Sequence, residues 1–166
     1  PGDPIPQLEY AELLMLLGRK REGVRVLDHA LQLPRLADSS LCLDEASMVC
    51  FFARDFHRSL RLAYQSAAVS PRIRMSYWVM ALDYFMLEEY EKSAAALRDS
   101  ELVIDGFYSG EREYMMLWIL WLHGHIFIRT SCPEKARTTI AIIEDLPVSV
   151  PARELVMASL RWTLGE

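Results

Sequence analysis

Asparagine is absent from this 166-residue chain, lysine occurs only at Lys20, Lys92 and Lys135, and cysteine only at Cys42, Cys50 and Cys132. Each scarcity excludes something. With 18 Lys and Arg against 23 Asp and Glu, the net charge is −5 and the pI near 5.4. The cations are scattered, so no basic field for nucleic acid exists. Cys42 and Cys50 are eight positions apart on one predicted helix, roughly 12 Å at helical rise, beyond disulfide reach. An odd cysteine set without pairing geometry fits a reducing compartment, and a cytoplasmic location is expected. The seven glycines form no phosphate-binding loop, and no nucleophile elbow occurs. Long apolar runs are missing too. The most apolar stretch, Tyr114 to Ile128, is interrupted by His123, Gly124 and His125, which makes it too short and too polar to span a bilayer. No signal peptide opens the chain, and no membrane insertion is expected.

What is abundant is apolar residues, at 52%, set out with helical period and clear punctuation. A chain of this length and composition can form one domain with a substantial core, and residues 1–166 are expected to be one. Leu8, Leu13, Leu16 and Leu17 mark a helix from Pro6 to about Arg19, ended by Gly18, and Val24, Leu27 and Leu31 mark Glu22 to Leu33. Asp38-Ser39-Ser40 supplies an N-cap cluster for Leu41 to Ala53, and Asp55 to Val69 stops at Ser70-Pro71. Arg72 to Leu87 and Glu89 to Val103 follow, then a longer loop through Asp105 to Gly110. Tyr114 to Ile128 comes next. Ser131-x-x-Glu134 reads as a capping box for the helix that ends near Pro147, and Pro151 to Leu164 is a last helix without a pair. No stretch alternates with period 2 long enough to be a strand.

The helices repeat. Asp55-Phe56-His57-Arg58-Ser59, Glu89-Tyr90-Glu91-Lys92-Ser93 and Cys132-Pro133-Glu134-Lys135-Ala136 each open the second helix of a pair with a charged or turn residue, a small residue and an apolar stripe. Ser59 and Ser93 are 34 residues apart, the tetratricopeptide period. Ser59, Ser66 and Pro71, then Ala81, Ser93 and Ser100, then Gly124 and Ala136 fall where that family places its small residues and its proline, and Gly18, Gly23 and Ala30 do so in a looser first pair. The chain therefore resembles a divergent tetratricopeptide array over nearly its whole length. The resemblance implies an all-α, right-handed α-solenoid of about four helix pairs (6–34, 40–70, 72–104 and 110–147) with a C-terminal capping helix at 151–164. Such units bury a face only by stacking on neighbours, which points to a binding scaffold rather than a catalyst.

In the helix from Arg72 to Leu87, Tyr77, Met80, Ala81 and Tyr84 make one stripe and Met75, Trp78, Leu82, Phe85 and Met86 another. Apolar almost all round, it is expected to be covered on two faces. By the resemblance, the second stripe lines a concave groove together with Met48, Phe51 and Phe52 of the second pair and Trp118, Trp121, His125 and Ile128 of the fourth. Aromatic and Met side chains anchor peptide interfaces and adapt to varied apolar partners. The Lys and Asn carboxylate clamps of some family members have no counterpart here, so the expected occupant is an apolar or amphipathic helix, or an extended apolar segment. The last helix, with Leu155, Val156, Leu160, Trp162 and Leu164, could instead fill the groove or cap the array, and a second copy of the chain, as a homodimer, could do the same.

Catalytic, metal and cofactor sites are not expected. His123 and His125 lie roughly 200° apart around a helix, too far to share a metal. Glu88, Glu89 and Glu91 suit a solvated helix start better than acid–base chemistry. The three cysteines lack metal spacing. In size and plan the chain looks like the small tetratricopeptide chaperones of bacterial type III secretion systems. That likeness implies an adaptor or chaperone for a partner's apolar segment. The alternative is a docking or oligomerisation module of a larger assembly.

Overall fold

The computed structural model describes residues 3–71, 74–101 and 109–165. Among the described residues there are nine α-helices and no strand. They group into two compact units, Pro1–Glu89 and Tyr90–Glu166. The first holds α1 (Ile5–Leu16), α2 (Lys20–Ala30), α3 (Ser40–Phe52), α4 (Phe56–Val69) and α5 (Arg74–Met86); the second holds α6 (Tyr90–Glu101), α7 (Ser109–Arg129), α8 (Pro133–Glu144) and α9 (Val150–Leu164). The all-α repeat fold predicted from the periodicity is the fold observed.

The repeat is clearest in the backbone of four turns. Gly18, Arg54, Glu88 and Ser131 all have left-handed φ, at 75°, 63°, 63° and 58°, and they are spaced 36, 34 and 43 residues apart. At each, the same two bonds close the preceding helix. The N–H of Gly18, Arg54, Glu88 and Ser131 donates to the carbonyl three residues back, at 3.0, 2.8, 3.1 and 3.2 Å. The N–H of the next residue reaches five residues back, at 2.8, 3.0, 2.9 and 2.7 Å. This is the Schellman stop, which favours glycine because a Cβ crowds the left-handed conformation. Only the first turn spends a glycine on it, so three of the four are hidden from a search for Gly. Replacing Arg54, Glu88 or Ser131 with glycine is expected to stabilise the protein by up to about 1 kcal/mol each, and a fall in melting temperature for all three would contradict that account.

Two boundaries differ from the sequence reading. α7 begins at Ser109 rather than Tyr114, so Ser109 and Gly110, assigned to the loop, are helical; residues 102–108, with the rest of that loop, lie outside the described residues. Ser131 does not cap α8. It occupies the left-handed turn position, and Cys132 is the N-cap, whose side chain makes no capping hydrogen bond to the helix. The spacing that suggests a capping box is instead the spacing of the turn.

Small residues sit where helices cross. Gly23, Ser59, Ser93 and Ala136 are all buried. A Cβ on Gly23 would stand 2.8 Å from Met15 Cε and 3.0 Å from the Ala11 carbonyl oxygen. In the first unit Leu8, Leu27, Leu43, Val49 and Leu62 fill the core, and Arg58 bonds Asp28 at 2.7 Å, joining α4 to α2. Ser39 and Asp55 cap α3 and α4 by accepting from the N–H of Cys42 and Arg58, both at 3.3 Å. In the second unit α9 packs on both α7 and α8, where Leu117, Ile140, Ile143, Val156, Met157 and Leu160 form the core.

Candidate interaction surfaces

α9 decides the character of the second unit. Its buried side carries Val156, Met157 and Leu160. Gly124 of α7 admits it, since a Cβ there would lie 2.6 and 2.9 Å from the two δ carbons of Leu160. Ser159, four residues after Leu155 and three before Trp162, contacts α7: Trp121 Nε1–H donates to Ser159 Oγ at 3.3 Å, and His125 Nε2 is 3.2 Å from the same oxygen. Burial, helped by Arg129, holds the His125 pKa below its ordinary value. The neutral ring is therefore favoured, and the Nε2–Ser159 Oγ hydrogen bond forms with either atom as donor, according to the imidazole tautomer.

Two stripes result. α7 presents Tyr114, Trp118, Trp121 and His125, and α9 presents Leu155, Ser159 and Trp162. Trp118 and Trp121 meet edge to face, with centroids 6.0 Å apart and planes at 84°, and Trp121 meets His125 likewise at 4.9 Å and 73°. Tyr114 Oη donates to Ser149 Oγ at 2.9 Å near the start of α9. Trp118 is 39% exposed, Leu155 68% and Trp162 84%. The last helix thus extends the apolar surface of α7 with its own exposed Leu and Trp. The sequence leaves the helix of Leu155 and Trp162 either to fill the groove or to cap the array and does not single out Ser159; the spacing 155, 159, 162 carries that signal. Ile128 is half-buried and packs against the core of this unit.

In the first unit, α3 and α5 are neighbours and carry the remaining predicted residues. Met48, Phe51 and Phe52 are half-buried, and Phe51 packs on Phe52 and Phe56, both at 5.8 Å. Met75 and Met86 are exposed, Leu82 and Phe85 half-buried, and Trp78 is buried. Trp78 therefore offers a partner little area without rearrangement. A separate apolar face lies on α1, where Tyr10, Leu13, Leu16 and Leu17 are exposed.

His123 stacks on Phe127 with planes at 28°, away from the His125 pair. No group of three or more His, Cys, Asp or Glu side chains that could hold a metal occurs among the described residues. No helix among them is long and apolar enough to cross a membrane. All three cysteines are free thiols, Cys42 and Cys50 buried and Cys132 half-buried. Burial pushes the Cys50 thiol up to about 12, so it is inert at neutral pH. Iodoacetamide is expected to label Cys132 in the folded protein and Cys42 and Cys50 only after unfolding, which mass spectrometry of tryptic peptides checks; native labelling of Cys50 would contradict its burial.

No family model and no curated protein matches the chain. Solved structures do. Residues 41 to the end of MamA from Desulfovibrio magneticus RS-1 superpose with a TM-score of 0.66 at 18% identity, over 87% of this chain and 76% of that one. A MamA RS-1 ArsTM double mutant gives 0.60 at 16% identity, over 98% of this chain and 78% of that one. At this identity the likeness establishes a shared helical-repeat fold of the tetratricopeptide type.

Proposed function

We propose that this chain is a non-enzymatic protein-binding scaffold, and that the α7–α9 surface holds the apolar face of a partner segment. One observation carries the reading. Trp118, Leu155 and Trp162 are exposed on two helices that the half-buried, hydrogen-bonded Trp121, Ser159 and His125 join. Large exposed aromatics on a rigid, internally satisfied base are what an interface anchor requires, because little entropy remains to be lost on binding. The occupant that fits is an amphipathic helix or extended apolar segment that inserts its side chains between the two stripes. Retaining the partner while it is unassembled is chaperone work in a cytoplasmic setting; a type III secretion client is the narrower form of this reading, supported by the size and plan of the chain.

A second reading has its own observation. Tyr10, Leu13, Leu16 and Leu17 on α1 form an apolar face in the first unit, suited to docking into a larger assembly or onto a second copy of the chain. Pull-down from the native host with wild type, a Trp118→Glu, Trp162→Glu variant and a Leu13→Glu, Leu17→Glu variant separates the two. Loss of one dominant partner with the tryptophan variant alone supports the α7–α9 surface. Loss with the α1 variant alone supports docking through α1 and overturns the first reading.

A further inference from the structure

Two carboxylates are buried where α5 packs on α3 and α4 in the first unit. Asp44 of α3 is 2% exposed and Asp83 of α5 is 0% exposed. Asp44 is half satisfied: Ser76 donates to its Oδ1 at 2.7 Å, Ser76 Oγ lies 3.0 Å from Ser66 Oγ, and Ser66 donates to the Ser40 carbonyl at 3.0 Å. Its Oδ2 has no hydrogen-bond partner among the described residues. Asp83 has less. Neither of its oxygens has such a partner, and the adjacent Ser59 hydroxyl spends its one proton on the Ser47 carbonyl at 2.9 Å. The titratable groups that face it are Asp55 from α4 and Cys50 from α3, with Tyr84 on its own helix. None supplies a positive charge, and Arg58 of α4 is committed to Asp28 at 2.7 Å.

A buried carboxylate without a cation or a full set of donors is costly, whereas the neutral acid is tolerated. We propose that Asp83 is a protonation latch: while its carboxyl is neutral α5 stays seated on α3 and α4, and ionisation of the carboxyl loosens that seat. Burial, opposed by the nearby Ser59 hydroxyl and helped by Asp55, pushes the Asp83 carboxyl up to about 7, against about 4 in an unfolded chain. Between those values the folded chain binds the extra proton. Its stabilisation is complete below about pH 4 and is lost as pH rises through about 7, the unfolding constant growing about tenfold per pH unit from this group alone. α5 carries Met75, Trp78, Leu82, Phe85 and Met86, so if these serve a partner, as the scaffold reading holds, the latch makes that service pH-dependent.

The test reads the fold and not the partner, so the latch and the scaffold reading can fail separately. Hydrogen-exchange protection of α5 amides and the denaturation midpoint are measured at about pH 5 and about pH 8. Wild type is expected to lose protection in α5 at the higher pH, beyond the intrinsic change in exchange chemistry. Asp83→Asn should be insensitive over the same range and more protected than wild type at about pH 8. Asp44→Asn should keep most of the wild-type dependence. A wild-type profile retained in Asp83→Asn overturns the latch. If Asp83→Asn does not fold, infrared difference spectra of the Asp44→Asn protein across the same range decide instead: a protonated-carboxyl band that disappears near neutrality supports the latch, and its absence at about pH 6 overturns it.

Discussion

Truncating Leu160 to alanine is expected to destabilise the protein by about 2–5 kcal/mol, the largest single-site effect we foresee in the second unit. Leu160 is fully buried and stands over Gly124, the position on α7 that gives α9 room. Gly124→Ala alone places a methyl 2.6 and 2.9 Å from the Leu160 δ carbons. The neighbouring core is full, so the side chain must shift, at about 1–3 kcal/mol, offset by up to about 1 kcal/mol from the better helix propensity of alanine. The double variant puts the new methyl into the space the leucine vacates. Its cost should therefore fall short of the two single costs added together, by about 1 kcal/mol or more. A denaturant double-mutant cycle measures this directly. Strict additivity would mean that α7 and α9 do not meet at this pair, and the two stripes above it would lose their common base.

Charging the exposed tryptophans should have the largest effect on binding. Trp118→Glu with Trp162→Glu is expected to weaken capture of a partner segment by 100-fold or more, because desolvating two carboxylates replaces two aromatic anchors. The choice of residues follows from burial. Trp162 at 84% exposed and Trp118 at 39% can be changed with little loss of stability, whereas Trp78 at 8% exposed and the hydrogen-bonded Trp121 cannot. A loss of binding in variants of the latter pair would be confounded with a loss of fold. Circular dichroism should find the double variant as helical as wild type, and isothermal titration against the recovered partner should find the affinity gone. Unchanged affinity would remove the α7–α9 surface from consideration.

The all-helical class, the order of the nine described helices and the repeat spacing of 36, 34 and 43 residues were determined by sequence alone, because helical period and small residues at helix crossings are local signals. Ser59, Ser66, Ser93 and Ala136 are buried as their positions in the repeat require. The left-handed stop at three of the four turns is not legible in residue type, because Arg54, Glu88 and Ser131 adopt a glycine-like conformation that the two closing hydrogen bonds hold in place. Tertiary structure alone decided which apolar residues stay exposed. Trp78 and Trp118 read alike in sequence, yet one is buried and the other open, since a helix that is apolar all round does not announce which neighbours will cover it. The same holds for α9, whose Leu155 and Trp162 point away from the core only because Val156, Met157 and Leu160 found Gly124 and α8 first. Asp44 and Asp83 carry no mark of burial in the sequence. Their burial between α3, α4 and α5 arises from the stacking of one repeat on the next, a contact between residues some 30 to 40 positions apart that no local pattern encodes.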